Sequence, residues 1–181
     1  MKYFIASDIH GSSYYCRKML EAFEREQADR LILLGDILYH GPRNNLPEGY
    51  DAKACIEMLN NFAAKNMPLC VRGNCDGEVD QMVLNFPIMA EYIMIDNGER
   101  TVVATHGHHY NEKTPLPLHH GEVLLCGHFH VPACREHEGY TYMNPGSVSL
   151  PKNGTPHGYM IWEGSKFEWK NIDGESYSPE D

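Results

Sequence analysis

The sequence predicts a mixed α/β fold in which two packed sheets are flanked by helices. Three observations carry this. The chain opens with a β-α-β-α-β alternation, it then turns mostly to strands, and five apolar runs end directly in a polar donor residue. Crossover helices between the early strands imply parallel pairing, and the later tight turns imply antiparallel pairing.

The elements follow in order. Residues 2–6 are mostly apolar and read as a buried strand. Ser12 or Ser13 can cap a helix over 13–27, with Tyr15, Met19, Leu20 and Phe23 on one face. Residues 30–34 read as a second strand. A polar loop runs from Asp36 to Tyr50, and a loop of that length in a compact domain is often functional. A helix is expected over 51–65 with Ala54, Met58, Leu59 and Phe62 as its apolar stripe, then a strand over 67–72. Strands over 88–95 and 100–105 are joined by a turn at Asp96-Asn97-Gly98. Residues 122–126 form another strand, 132–143 a hairpin turning near Glu138-Gly139, and 157–172 two strands turning at Gly164-Ser165. The expected domain spans 1–172, and 173–181 reads as a frayed polar tail.

Composition narrows the function. The 181 residues suffice for one domain with a sizeable core. A net charge of -10 is a poor footprint for a protein that tracks a nucleic-acid backbone or an anionic membrane surface. It still allows a small phosphorylated substrate, because a local positive site can outweigh a diffuse negative field. No apolar run approaches the ~20 residues of a membrane span. The six cysteines include no Cys-x-x-Cys pair, and Cys55, Cys70 and Cys126 lie in apolar surroundings. They read as reduced thiols of a cytoplasmic protein. A homo-oligomer stays open.

The donor residues carry the chemistry. Asp8 and His10, Asp36, Asn74, His106, and finally His128 and His130 each follow an apolar run. Ligands bind outside the carboxyl ends of strands in open α/β sheets, so five such ends suggest one shared site. Gly35, Gly73 and Gly127 precede three of the donors and permit a sharp exit from the strand. Two Asp, four His and one Asn suit manganese, iron or zinc with open water positions. Seven donors are too many for one ion and suit two, bridged by a carboxylate.

These motifs resemble a known family. Asp8-Ile9-His10, Gly35-Asp36, Gly73-Asn74, Thr105-His106-Gly107-His108 and Gly127-His128-Phe129-His130 look like the ordered motifs of the calcineurin-like metallophosphoesterases. The stretches around His40-Gly41-Pro42-Arg43-Asn44, Leu46–Tyr50, Arg72–Asp76 and Asn144–Ser149 resemble the small YfcE-type phosphodiesterases within it. The likeness runs from about residue 4 to 151. It implies a four-layer α/β/β/α sandwich with two mixed sheets. It implies one metal on Asp8, His10, Asp36 and His130 and another on Asp36, Asn74, His106 and His128. Manganese is the usual activating ion in similar enzymes, with iron, zinc or nickel as alternatives.

The expected activity is phosphodiester hydrolysis by a metal-activated hydroxide, in line with the leaving oxygen. Many members of the family carry His after the Gly-Asn, where it is thought to protonate the leaving group; Cys75 stands there instead. A thiol is a poorer acid than imidazolium at neutral pH, so good leaving groups should be preferred. Asn74 is a candidate for positioning as well as ligation, Arg43 for a phosphate contact, and His108 for a substrate contact or support of a ligand. A surface salt bridge is the plain alternative for Arg43. His40 is a further candidate for the substrate. His109, His119, His120, His137 and His157 read as solvated, Asp76 and Asp80 as favouring a helix start, and Asn144–Ser147 as a structural turn behind the site. Two other functions compete: a non-catalytic scaffold, as in a retromer subunit that resembles these enzymes, and a phosphomonoesterase. A complete donor set favours an enzyme.

Overall fold

The computed structural model describes residues 1–179. Eleven strands and three helices occur among them. Strands β1 (Lys2–Ala6), β2 (Arg30–Leu33) and β3 (Leu69–Cys70) are parallel neighbours, linked by helices α1 (Ser13–Arg25) and α2 (Ala52–Ala63). The short α3 (Glu78–Gln81) precedes β4 (Tyr92–Asp96), β5 (Thr101–Thr105), β6 (Glu122–Leu125), β7 (Pro132–Glu136) and β8 (Tyr140–Pro145). The chain then returns through β9 (Gly158–Glu163), β10 (Lys166–Asn171) and β11 (Ser176–Tyr177). The first sheet runs β11-β10-β9-β1-β2-β3 and the second β4-β5-β6-β8-β7. Both sheets are mixed, as expected: β9 pairs antiparallel to β1, while β5, β6 and β8 pair in parallel.

The period of two along each strand builds two cores at once. Tyr3 and Ile5 of β1 point between the sheets with Ile32, Leu34, Val102, Val123, Leu125 and Trp162. Phe4 and Ala6 point the other way, onto Met19 and Phe23 of α1 and Leu59 of α2. The outer face of the second sheet carries a smaller cluster of Leu124, Cys126, Ala133 and Tyr142, with Leu118 packed against it. There the covering layer is the stretch 107–121 rather than a helix: Tyr140 Oη donates to Glu112 O, and the Glu112 carboxylate receives Arg135 at 2.9 Å.

Of the two expected caps, Ser12 caps α1 by accepting from Tyr15 N at 3.1 Å. Several other local expectations shift. The buried stripe of α2 is Cys55, Leu59 and Ala63, turned from the expected one by about one residue. Strand β3 is shorter than 67–72. Strand β4 starts at Tyr92, because Phe86 and Ile88 are drawn into the helix-side core instead of a ladder. Part of the expected tail is an edge strand, since Ser176 and Tyr177 pair with β10; residues 180 and 181 lie outside the described residues. His137 and His157 are bonded rather than solvated, to Glu112 and to Tyr15 and Val148 respectively. His109 is exposed and pairs with Glu91. No helix among the described residues is long and apolar enough to cross a membrane.

Trp162 sets the spacing of the inter-sheet core. It is fully buried, stacks on Tyr3 at 4.6 Å and on Phe167 at 5.5 Å, and donates its indole N–H to Gly164 O. Trp162→Ala is expected to destabilise the protein by about 3–5 kcal/mol in denaturant unfolding.

Candidate metal centre

The carboxyl ends of β1, β2 and β3 meet those of β5 and β6 along one edge of the two sheets. Contacts across the junction show how close they come. His106 Nδ1 donates to Leu34 O at 2.5 Å, and His128 N donates to Asp8 Oδ2 at 3.0 Å. Five of the seven non-glycine residues with positive φ among the described residues are Asp8, His10, Asp36, His128 and His130. Such a backbone is costly for a residue with a Cβ and clusters at functional sites.

The donors fall into two groups that share Asp36. In the first, His130 Nε2 lies 3.2 Å from Asp8 Oδ1, and His10 Nε2 lies 3.6 Å from both Asp8 Oδ1 and Asp36 Oδ2. In the second, His106 Nε2 lies 3.5 Å from Asp36 Oδ2 and 3.1 Å from Asn74 Oδ1. Donor atoms of Asp36, His106 and His128 lie within 4.8 Å of one another. Asn74 directs its amide N–H at Cys75 Sγ, 3.2 Å away, which leaves Oδ1 facing His106.

Tautomers follow from the carbonyls. His10, His106 and His130 each place Nδ1 against a backbone oxygen, of Tyr39, Leu34 and Leu150. A carbonyl can only accept, so each Nδ1 carries the proton and each neutral ring turns a lone pair inward from Nε2. The Nε2 atoms of His10 and His130 then face each other at 3.3 Å. Asp8 Oδ1 is buried beside them with no hydrogen-bond partner. Facing lone pairs and an orphaned carboxylate oxygen are satisfied by a cation, so this donor set fits divalent metal ions.

Charge and burial oppose one another at Asp8, His10, Asp36 and His106. Burial would depress His10 and His106, yet Asp8 and Asp36 raise both, His106 to about 9. Burial would likewise raise the two carboxyls, and the imidazoles hold them below the usual range. Burial and the nearby His106 push His128 down. Protons and metal therefore compete for the same atoms. Cys75 is pushed up to about 12 by burial and by the Asp36 carboxylate, so its thiol is neutral at physiological pH. Its Sγ lies within 4.8 Å of donor atoms of His10 and Asp36, at the margin of a site whose expected donors included no cysteine.

The support behind the donors was only partly legible. Asp76, expected to favour a helix start, is instead a buried clamp. Its carboxylate accepts from Asp36 N, Ile37 N and Gly73 N at 2.7–2.8 Å, tying the exits of β2 and β3 together. Asp80 does open a helix, by accepting from Gly77 N. The glycines also act differently from expectation. Gly35 has φ +94, but Gly73 and Gly127 have ordinary φ and are needed for close approach. A Cβ on Gly73 would stand 2.2 Å from Asp36 N, and one on Gly127 2.0 Å from Ser7 Oγ. The Asn144–Ser147 turn is structural, as expected: Ser147 donates to Asp8 O, and Ser149 just beyond it does so too.

A cleft of about 420 Å³ opens over the donors. Arg43 and Cys75 line it, together with Phe129 and Lys152, which the sequence reading missed. A Pro151-Lys152-Asn153-Gly154 turn directly after the buttressing segment was the available signal. No carboxylate among the described residues lies within ion-pair distance of Arg43 or Lys152. His108 stands behind the donors, its ring 5.4 Å from His106 and 6.3 Å from His128, and does not line the cleft. His40 is packed edge-on against Tyr39 and Tyr50 and does not line it either.

A mixed two-sheet sandwich with carboxylate, imidazole and amide donors at its strand ends defines a metallophosphoesterase. The model of the calcineurin-like phosphoesterase superfamily domain matches residues 1–166, and the chain belongs to that family. It is 45% identical over 159 residues to the phosphodiesterase YfcE of Escherichia coli K12, covering 88% of this chain and 85% of that one. The solved structure of the E. coli phosphoesterase Yfce superposes with a TM-score of 0.93 at 40% identity, over 98% of this chain and 97% of that one. A zinc complex of Vps29 from Entamoeba histolytica shares the fold alone, with a TM-score of 0.59 at 15% identity over 98% and 96% of the two chains.

Asp76→Asn keeps the size of the clamp and removes its charge. Metal affinity is expected to fall by about 10–100-fold in competition titrations with a chromogenic chelator. An unchanged affinity would reduce Asp76 to a folding role.

Proposed function

We propose that this protein is a phosphodiesterase working with two divalent ions, manganese foremost, on a small phosphorylated substrate in the cytoplasm. The observation that carries the reading is Asp36, a single buried carboxylate shared by two donor groups. Its Oδ1 is held by Cys75 N at 2.8 Å, while Oδ2 faces His10 and His106. Asp8, His10, Asp36 and His130 would hold one ion, and Asp36, Asn74, His106 and His128 the other. The ions, when bound, supply Lewis acidity that activates water and takes up charge on the phosphate. The similarity to E. coli YfcE supports diesters over monoesters. The completeness of the donor set supports an enzyme over a scaffold. The buried thiols of Cys16, Cys55, Cys70 and Cys126 support a reducing compartment.

The chain's own residues shape the rest of the reaction. Arg43 and Lys152 bring positive charge to a cleft in an otherwise acidic protein and have no carboxylate partners among the described residues. They would draw in the phosphate and orient its free oxygens. Cys75 sits at the edge of the donors, where its thiol can give a hydrogen bond but is a weak acid. The departing oxygen must then leave largely as an anion, which favours aryl or otherwise activated esters.

Metal-stripped protein should be inactive, and adding manganese should restore diester turnover beyond any monoester rate. Asp36→Ala should abolish that restoration and lower bound metal from two ions toward none by elemental analysis. Absence of turnover for every pairing of metal and ester would transfer the assignment to a binding scaffold. Cys75→His is expected to raise alkyl-ester hydrolysis by about 10–100-fold while leaving aryl esters nearly unchanged. Equal changes on both ester types would count against the role given to Cys75.

A further inference from the structure

The cleft over the donors continues past Asn74 and Cys75 into a second, more open hollow of about 680 Å³. The two share Pro42, Arg43, Asn74 and Cys75. Beyond those shared residues the hollow is lined by Tyr39, Asp76, Gly77, Val79 and Asp80. Of these, Tyr39 and Val79 are 42% and 70% exposed. Exposed apolar side chains beside a polar cleft offer cover for an apolar part of a ligand held in that cleft.

Both walls hang on the backbone that carries the donors. Tyr39 O accepts the Nδ1 proton of His10 at 2.8 Å, so the Tyr39 main chain is tied to a ligand. Val79 lies on α3, just beyond Asp76, which grips Asp36, Ile37 and Gly73. The walls therefore keep their distance from the phosphate position. Charge narrows the occupant. Asp76 is buried under three backbone N–H groups, and Asp80 is taken by Gly77 N at 2.7 Å. Arg43, at the seam, is the cation lining the hollow, and the far wall offers none for a second phosphate.

We propose that this hollow is the leaving-group subsite and that it takes a flat, uncharged aromatic alcohol seated between Tyr39 and Val79. The proposal rests on the phosphodiesterase reading and adds the substrate class. Water adds its oxygen to phosphorus, the phosphorus–oxygen bond to the aryl arm breaks, and the bonding pair leaves with the aryloxide. The protons of water end on the aryloxide and in solvent, giving a monoester and a phenol. Cys75 stands where the two hollows meet, so the departing oxygen crosses beside its thiol.

The test uses metal-loaded protein and diesters of matched leaving-group pKa but growing ring size, from phenyl to naphthyl. In the unmodified protein KM should fall as the ring grows. Tyr39→Ala with Val79→Ser should flatten that trend, lowering kcat/KM for naphthyl relative to phenyl by about tenfold. Val79→Asp alone, at a highly exposed position that folding tolerates, should act in the same direction. An unchanged ring-size dependence in both variants would overturn the subsite. If no ester is turned over at all, the parent reading fails, and binding of 1-naphthyl phosphate followed by its fluorescence judges the hollow by itself. Weaker binding in the variants would uphold the apolar site, and equal binding would overturn it.

Discussion

Two carboxylates, Asp8 and Asp36, are buried at the junction of two sheets, and the rest of the structure answers to them. Removing charge of this kind from water is tolerable only with opposite charge at hand. The neighbours provided are imidazoles that, when neutral, spend their one proton on backbone carbonyls and turn lone pairs toward the carboxylates. The arrangement is unfavourable as a protein interior and favourable as a cage for cations. That tension links sequence to chemistry here.

Holding such a cage requires stiffness from elements that contribute nothing to the reaction. Alternation along β1 and β2 fills the space between the sheets and the space beneath the helices together, which fixes where each strand ends. Glycines 73 and 127 let neighbouring strand exits come closer than any side chain would permit. Asp76 then joins two of those exits, and Ser147 and Ser149 hold the backbone of Asp8 from the opposite side. The diffuse negative charge of the chain is offset locally by Arg43 and Lys152, at the mouth rather than among the donors.

What could be read from the sequence was what is local in it. An apolar run followed by a donor is visible in a few residues, and all five such runs deliver their donors to one place. Turn residues located the hairpins for the same reason. The clamp of Asp76 was hidden because its partners are main-chain N–H groups up to forty residues away, which no side-chain pattern announces. The loop between residues 36 and 50 was recognised by its length, yet the exposure of Tyr39 there is set by tertiary packing. The start of β4 shifted because Phe86 and Ile88 had two apolar surfaces to choose from, and periodicity does not say which one wins. Two histidines expected in solvent found partners on other elements for a similar reason.

The left-handed backbone at five of the donor residues carries an implication for how this centre could be lost. A Cβ in that region costs on the order of 1 kcal/mol per position, and glycine escapes the cost. Exchanging one of these ligands for glycine would relieve torsional strain and remove a buried charge or a facing lone pair in the same step. Loss of a donor is thus partly offset in torsional energy, against the cavity its buried side chain would leave.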